Sequence, residues 1–513
     1  MQKSVIIVGG GTAGWITAGY LAQALATQKV GGIAITLIES GDIGILGVGE
    51  GTFPTIRRTL QRIGIDEAAL LRECDATLKQ GAKFVDWRAT PGTCDHNHYM
   101  HPFAVTQARG NLDLLPYWLL GVAGRVNWDE VNTVQKRVSD AGHAPKRIVD
   151  PDFNGPLNYA YHFDAAKLAA FLRKHVVGLG VKRLVDTVNK TDLDESGHIS
   201  SVTTRASGVL TADLYVDCTG FRAELIGKAL GVPYKSCRDT LFCDRALALQ
   251  VPYATADAPI ASYTISTAQE AGWTWDIGLH HRRGIGHVYS SDHSDDARAE
   301  DILRRYVGPA ADGLEARHFK FTGGFREINW SKNCVAIGLS SGFFEPLEAT
   351  GIVFAEVAAV MLANLFPWGG NFEASARQFN DLMLRRYRRA LDFIKLHYCI
   401  SERRDTAFWR DNVSAGSIPD SLADLLDRWK NRPPEPIDID ANIDIFSEVS
   451  WQYVLYGMGY KTDLSNKAPI YRFFDEARAE FADIRQQADY ALTVLPKNRD
   501  LITQVGRQNF GAA

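Results

Sequence analysis

Val5-Ile6-Ile7-Val8-Gly9-Gly10-Gly11-Thr12-Ala13-Gly14-Trp15 carries an apolar strand into three spaced glycines and straight on into a helix start. Gly9 permits the tight turn, Gly11 lets the backbone approach a pyrophosphate, and Gly14 lets the helix lie close on the strand. The helix N–H groups beginning at Thr12 and Ala13, and the helix dipole, then face the phosphates. A second apolar run, Ile33 to Ile38, ends in Glu39, where an acidic side chain accepts hydrogen bonds from an adenosine ribose. The glycines alone are a weak signal. Strand, turn, helix, strand and terminal acid together predict an ADP-containing cofactor on an α/β fold, whereas an unrelated glycine-rich turn has to explain each coincidence separately.

At 513 residues, 46% hydrophobic and 23% charged, the chain has a globular make-up and length enough for more than one domain. A net charge of −4 offers no basic field for nucleic acid and no polybasic patch for anionic lipid. The N-terminus enters the first strand after Ser4, no apolar stretch reads as a bilayer span, and the segment Val357 to Leu365 reads as a buried helix. The expectation is a cytoplasmic enzyme without membrane or nucleic-acid partners. Seven cysteines show no metal-ligand spacing, and the loop Cys94-Asp95-His96-Asn97-His98 reads as solvated, so no metal is predicted.

Even strand–helix alternation stops after the first βαβ unit. Nucleotide-type signals return at Ala212 to Arg222, a strand ending at Asp217, and at Asn333 to Gly342, a strand turning at Gly338, followed by a helix from about Gly351. Three returns to one sheet predict a discontinuous, Rossmann-like FAD-binding domain over residues 1–360, with signals at 4–39, 212–222 and 333–352. Alternating β-branched runs between about 240 and 325 predict an inserted antiparallel sheet. Residues 361–513 read as a mainly helical substrate-binding region. Its stripe Leu384, Tyr387, Leu391, Ile394 and Tyr398 has helical spacing, its arginines read as a solvated face, and Asn431 to Pro436 reads as a linker.

Five ordered motifs run from Gly9 to Ile352: Gly9 to Gly14; Gly47-Val48-Gly49-Glu50-Gly51-Thr52-Phe53-Pro54-Thr55; Lys79 in Thr77-Leu78-Lys79-Gln80-Gly81; Trp273-Thr274-Trp275-Asp276-Ile277; and Phe343-Phe344-Glu345-Pro346-Leu347-Glu348-Ala349-Thr350-Gly351-Ile352. In these the chain resembles the flavin-dependent tryptophan halogenases. The resemblance implies that reduced FAD and oxygen give a hydroperoxide, that halide is oxidised to hypohalous acid, and that this crosses a tunnel to a separate substrate pocket. It implies catalytic roles for Lys79, which would hydrogen-bond, polarise or be halogenated by the oxidant, and for Glu348, a carboxylate suited to a cationic ring intermediate and its proton. Thr350 and Gly351 match the segment whose amides hold halide, chloride or bromide. Gly9, Gly11, Thr12, Ala13, Gly14, Glu39, Gly49, Glu50, Asp217, Gly338 and Ile352 are the cofactor-binding candidates, and Trp273 and Trp275 are expected to be structural.

Two positions depart from the family pattern. Gly278 stands for a proline and is expected to loosen a loop; Ala349 stands for a serine and removes a hydroxyl beside Glu348. His101, Phe103 and Trp451 match the family's aromatic substrate walls. The stretch Ile437 to Ser450 has no tyrosine, and its acids are Asp438, Asp440, Asp444 and Glu448, so a zwitterion's carboxylate lacks an evident donor. An indole-like or larger aromatic is therefore expected over free tryptophan. The rival readings are an FAD-dependent aromatic hydroxylase and a non-catalytic FAD-binding protein. Against the first, Gly338 is followed by Leu339-Ser340-Ser341 where such hydroxylases carry an acid. No second glycine fingerprint for a nicotinamide occurs, so a separate flavin reductase is the expected partner, without a stable complex; a homodimer is left open.

Overall fold

The computed structural model describes residues 2–42, 49–104 and 112–511. The chain divides into two compact units, each assembled from three separated stretches: Met1–Asp75, Phe163–Cys237 and Thr322–Arg388 in the first, Ala76–His162, Arg238–Phe321 and Arg389–Ala513 in the second. This division differs from a boundary at residue 360. The stretch from Ala76 to His162 stays out of the nucleotide-type sheet and supplies two strands, Gly81–Val85 and His98–Pro102, to a seven-stranded one, and strand periodicity alone does not say which sheet a strand will join.

The first unit is built on a six-stranded sheet in the order Trp330–Ser331, Cys334–Ala336, Leu214–Asp217, Ser4–Val8, Ala34–Glu39, Lys182–Val185. The three nucleotide-type signals thus return to adjacent strands, parallel and in register: Val5 pairs with both Leu214 and Ile35, and Tyr215 pairs with Cys334. Ile7, Leu37, Val216 and Val335 are fully buried, as strands covered on both faces must be; each such side chain contributes about 1.5–3 kcal/mol by burial. Helix Thr12–Ala24 leaves the first strand through Gly9, whose φ of +118° L side chains rarely adopt. A Cβ on Gly14 would lie 1.9 Å from the Gly9 carbonyl oxygen, so helix and strand meet backbone to backbone there. Helix Thr350–Asn364 contributes Ala355, Ala358, Ala359 and Leu362 to the core of the same unit. By length and composition the window Leu347–Asn364 is apolar enough to cross a membrane, contrary to the sequence expectation that no stretch would be; 61% of it is buried inside the protein, which is how a core helix passes the same test.

The second unit contains the expected antiparallel sheet, extended to seven strands: Arg317–Lys320, Arg245–Pro252, Arg282–Tyr289, Gly272–Gly278, Thr264–Ala268, Gly81–Val85, His98–Pro102. Thr264–Ala268 and Gly81–Val85 run parallel, and the other pairs are antiparallel. Trp275 pairs with Gly286, and a Cβ there would sit 2.1 Å from the Trp275 ring, so the indole lies flat over a missing side chain. Helices Ala407–Asn412, Asp420–Trp429, Glu448–Gly457, Phe474–Val494 and Asn498–Val505 lie in the last stretch of this unit.

The segment expected to be a linker is pinned. Asp438 accepts hydrogen bonds from Arg432 at 2.6 and 2.7 Å and from the Trp429 indole at 3.1 Å.

The glycine contacts predict unequal substitutions. Gly14→Ala forces a backbone clash and is expected to destabilise by about 2 kcal/mol or more. A Cβ on Gly11 meets nothing within 4 Å, and Gly11→Ala is expected to unfold within about 0.5 kcal/mol of the parent. Urea unfolding of the two variants checks this; equal losses would refute the packing argument.

Candidate functional site

In the first unit the glycine turn and the acid meet. Glu39 lies against Gly10, accepts from the Trp15 indole at 3.2 Å and pairs with Arg183 at 2.5 Å. Helix Thr12–Ala24 begins at Gly11 without a side-chain cap, so the first-turn N–H groups, those of Thr12, Ala13 and Gly14 among them, donate to no capping side chain, and a Cβ on Gly11 would meet nothing within 4 Å. Collisions at Gly9, Gly10 and Gly14 beside an open approach at Gly11 fit a phosphate seat. Gly338 turns at φ +79° with a would-be Cβ 2.7 Å from Ala13, bringing the third strand end onto the same turn.

Asp217 is engaged locally. One carboxylate oxygen accepts from the Thr219 N–H and hydroxyl at 3.0 and 2.6 Å, the other from Leu225 and Ile226 N–H groups at 2.8 Å each. It caps the turn Glu224–Ala229, a placement that four local donors explain without a ligand.

Glu348 and Ala349 have φ of +64° and +54°. Two successive non-glycine residues in the left-handed region cost on the order of 1–3 kcal/mol each, a strain that clusters at functional sites. They turn the chain into helix Thr350–Asn364, which starts without a side-chain cap. Glu348 and Thr350 are buried, Ile352 lies just inside, and a Cβ on exposed Gly351 would meet nothing within 4 Å. Backbone donors beside an open position suit a small anion. The half-buried Ala349 bears no hydroxyl, so the turn holds this conformation without one.

Lys79 lies in the second unit, 2% exposed, with Nζ 5.2 Å from the centre of the Phe103 ring. Its strand, Thr77–Lys79, is fixed on both sides. The Thr77 hydroxyl donates to the Gly278 carbonyl at 2.6 Å, Gln80 N–H donates to Ser262 O at 2.6 Å, and Gln80 O accepts from Phe103 N–H at 2.9 Å. Gly278 is therefore no loosened loop: it ends the strand Gly272–Gly278, and a Cβ there would approach Ile260 and the Tyr253 hydroxyl at 3.0 and 3.1 Å. Trp273 and Trp275 are buried in the same strand.

His101 and Trp451 are brought together by a residue that the sequence did not single out. Phe393 stacks on Phe446 at 3.8 Å between ring centres, with His101 at 5.8 Å and the Trp451 edge at 4.9 Å. Arg389 is no solvated residue: its guanidinium stacks over Trp451 at 5.1 Å and donates to Asp444 at 2.6 Å. His162, also missed, is fully buried near Lys79; burial and the Lys79 charge push its pKa well below the ordinary histidine value, so the ring is neutral. Its clue was the run Tyr159 to Asp164, an alternating strand whose Asp164 caps the next helix.

The family profile described as tryptophan halogenase matches residues 4–471. The tryptophan 6-halogenase SttH of Streptomyces toxytricini is 38% identical over 98% of both chains. The crystal structure of a tryptophan halogenase from Shewanella frigidimarina superposes with a TM-score of 0.95 at 40% identity, over 99% of this chain and 98% of that one. BrvH, a flavin-dependent halogenase from Brevundimonas sp. BAL3, gives 0.87 at 33%, over 98% and 99%.

Two protonatable acids of the first unit are Glu50, on the strand Gly49–Gly51, and Glu356. Gly47 and Val48 lie outside the described residues. The Glu50 carboxyl is pushed up to about 7, first by burial and then by the Asp164 carboxylate. Glu356, on helix Thr350–Asn364, is pushed up to about 8 by burial and accepts from the Thr55 hydroxyl at 3.4 Å. Both acids hold protons in the folded state at pH values where an unfolded chain has lost them. Stability from these groups is thus fully present below about pH 4.5 and declines as pH rises through 7 and 8. The expected outcome is a Tm that falls from pH 5.5 to 8.5, by a few degrees more in the parent than in Glu356→Gln. Melting curves across that range check it; parallel profiles would refute the role of Glu356.

Proposed function

The chain belongs to the tryptophan halogenase family, and from that premise we propose that it uses reduced FAD, oxygen and chloride or bromide to halogenate an electron-rich aromatic of the indole type. The observation that carries this reading is Lys79: a buried amine on a strand fixed at both ends, facing the ring of Phe103. The turn at Gly9 to Gly14, with Glu39 beside it, would hold the dinucleotide, and Gly49, Glu50, Gly338 and Ile352 would lie along it. Bound reduced flavin, with oxygen, supplies the oxidising equivalents that convert halide to hypohalous acid. The amides at Thr350 and Gly351 would hold the halide.

At Lys79 the ammonium donates to the oxygen of the hypohalous acid and draws electrons from the halogen, which makes the halogen more electrophilic. Attack by the ring leaves a cationic ring carbon, and Glu348 supplies the negative charge and accepts the ring proton. A separate flavin reductase would deliver the reduced cofactor. His101, Phe103 and Trp451 would flank the ring. Asp438 and Asp444 are engaged by Arg432 and Arg389, which supports an indole without amino-acid groups over free tryptophan. The names of the relatives favour tryptophan as the second reading.

The test supplies FAD, NADH and a flavin reductase with each halide and with indole or tryptophan, and reads product mass. Halogenated indole, formed with a higher kcat/KM than halogenated tryptophan, is expected; a hydroxylated product overturns the activity, and efficient turnover of free tryptophan overturns the substrate. Lys79→Ala should abolish halogenation while flavin oxidation continues, and Glu348→Gln should slow it by on the order of 10²-fold or more. Normal product formation in either variant removes that residue from the mechanism.

A further inference from the structure

His162 lies on strand Ala160–Asp164, which pairs antiparallel with Thr77–Lys79 in the register Thr77 with His162 and Lys79 with Ala160. Side chains two residues apart share a face, so His162 and Lys79 are diagonal neighbours on one side of the ladder, with backbones about 7–8 Å apart. The imidazole is 0% exposed. Its Nε2 lies 2.8 Å from the Thr264 hydroxyl, while Nδ1 has no hydrogen-bond partner among the described residues. The facing hydroxyl of Thr77 donates to Gly278.

An unpartnered buried polar atom calls for an explanation. The neutral ring places its proton on Nε2, where Thr264 can accept it, and leaves the Nδ1 lone pair in the field of the Lys79 ammonium, which favours an acceptor there. A donor and an acceptor, both buried, are thereby carried on one face of the same ladder.

Building on the halogenase reading, we propose that His162 is a positioning residue of the Lys79 site, its Nδ1 accepting the O–H of hypohalous acid while the Lys79 ammonium donates to the same oxygen. A small neutral oxidant held by one contact pivots freely; held by two, it keeps its O–X axis in one direction and leaves the site less readily. No bond is made or broken at His162, which stays neutral throughout.

Asparagine can place an oxygen near the Nδ1 position and glutamine near that of Nε2, so the substitutions separate the two ring atoms. The measurement compares His162→Asn, His162→Gln and His162→Phe in the FAD-loaded enzyme for product formed per flavin oxidised and for halogenation of a scavenger in solution. The same ranking is read in cofactor-free protein given hypobromous acid and indole directly. Gln and Phe are expected to lower coupling about tenfold and to raise scavenger halogenation, with Asn within about threefold of the parent. A structural role through Thr264 predicts the reverse order, Gln above Asn, and overturns the proposal. Thr264→Val, which frees the ring to turn without removing it, serves if the histidine variants do not fold; it is expected to lower coupling about threefold at an unchanged Tm, and unchanged coupling overturns the proposal. Absence of halogenated product in the parent enzyme sinks the halogenase reading itself, whereas a coupled parent with three coupled variants sinks His162 alone.

Discussion

At Gly9 and Gly14 two backbones touch, and the first unit depends on that contact. The helix can lie on the strand only because Gly14 has no side chain, while the bare Gly9 leaves room for the Cys218 carbonyl, and the helix N-terminus is thereby aimed at the space in front of Gly11. Everything later in this unit repeats the demand for small residues. A Cβ on Gly338 would lie 2.7 Å from the Ala13 methyl, and Glu39 reaches the turn because Gly10 leaves room for its carboxylate. The same steric condition thus shapes the fold and leaves an open approach for a phosphate.

The second unit fixes a buried lysine in another way. Lys79 is on a three-residue strand, too short to hold a position by its own ladder. Bonds from Thr77 to Gly278, from Gln80 to Ser262 and from Phe103 to Gln80 supply the missing rigidity, and they come from the stretches 238–321 and 76–162. The two conspicuous tryptophans of strand Gly272–Gly278 are therefore part of the support for that lysine, since the strand that carries them also carries the carbonyl receiving Thr77.

The glycine turn, the three strand ends and the inserted sheet were legible because each is written locally, in periodicity and in small residues at turns. What was illegible depends on partners distant in sequence. His162 and Thr264 are 102 residues apart, and Arg389 finds Asp444 55 residues away, so neither the neutral imidazole nor the stacked guanidinium has a local signature. Asp217 shows the opposite failure. An acid at a strand end looks like a ligand-binding residue, yet four nearby donors saturate it, and nothing in the type of residue separates the two uses. Arginines on a helix carry the same ambiguity: helical spacing says which side of the cylinder they occupy, and the packing decides whether that side meets water.

Trp275 and Gly286 also restrict how the chain can drift. An indole lying where a Cβ would be makes the two positions a single unit of inheritance. A lineage that gains a side chain at 286 before the tryptophan has been exchanged passes through an overpacked ancestor, whereas the opposite order passes through a cavity, and the two losses do not add. The order of substitutions is then as constrained as their identity, and a relative with a larger residue at 286 should carry a smaller one at 275.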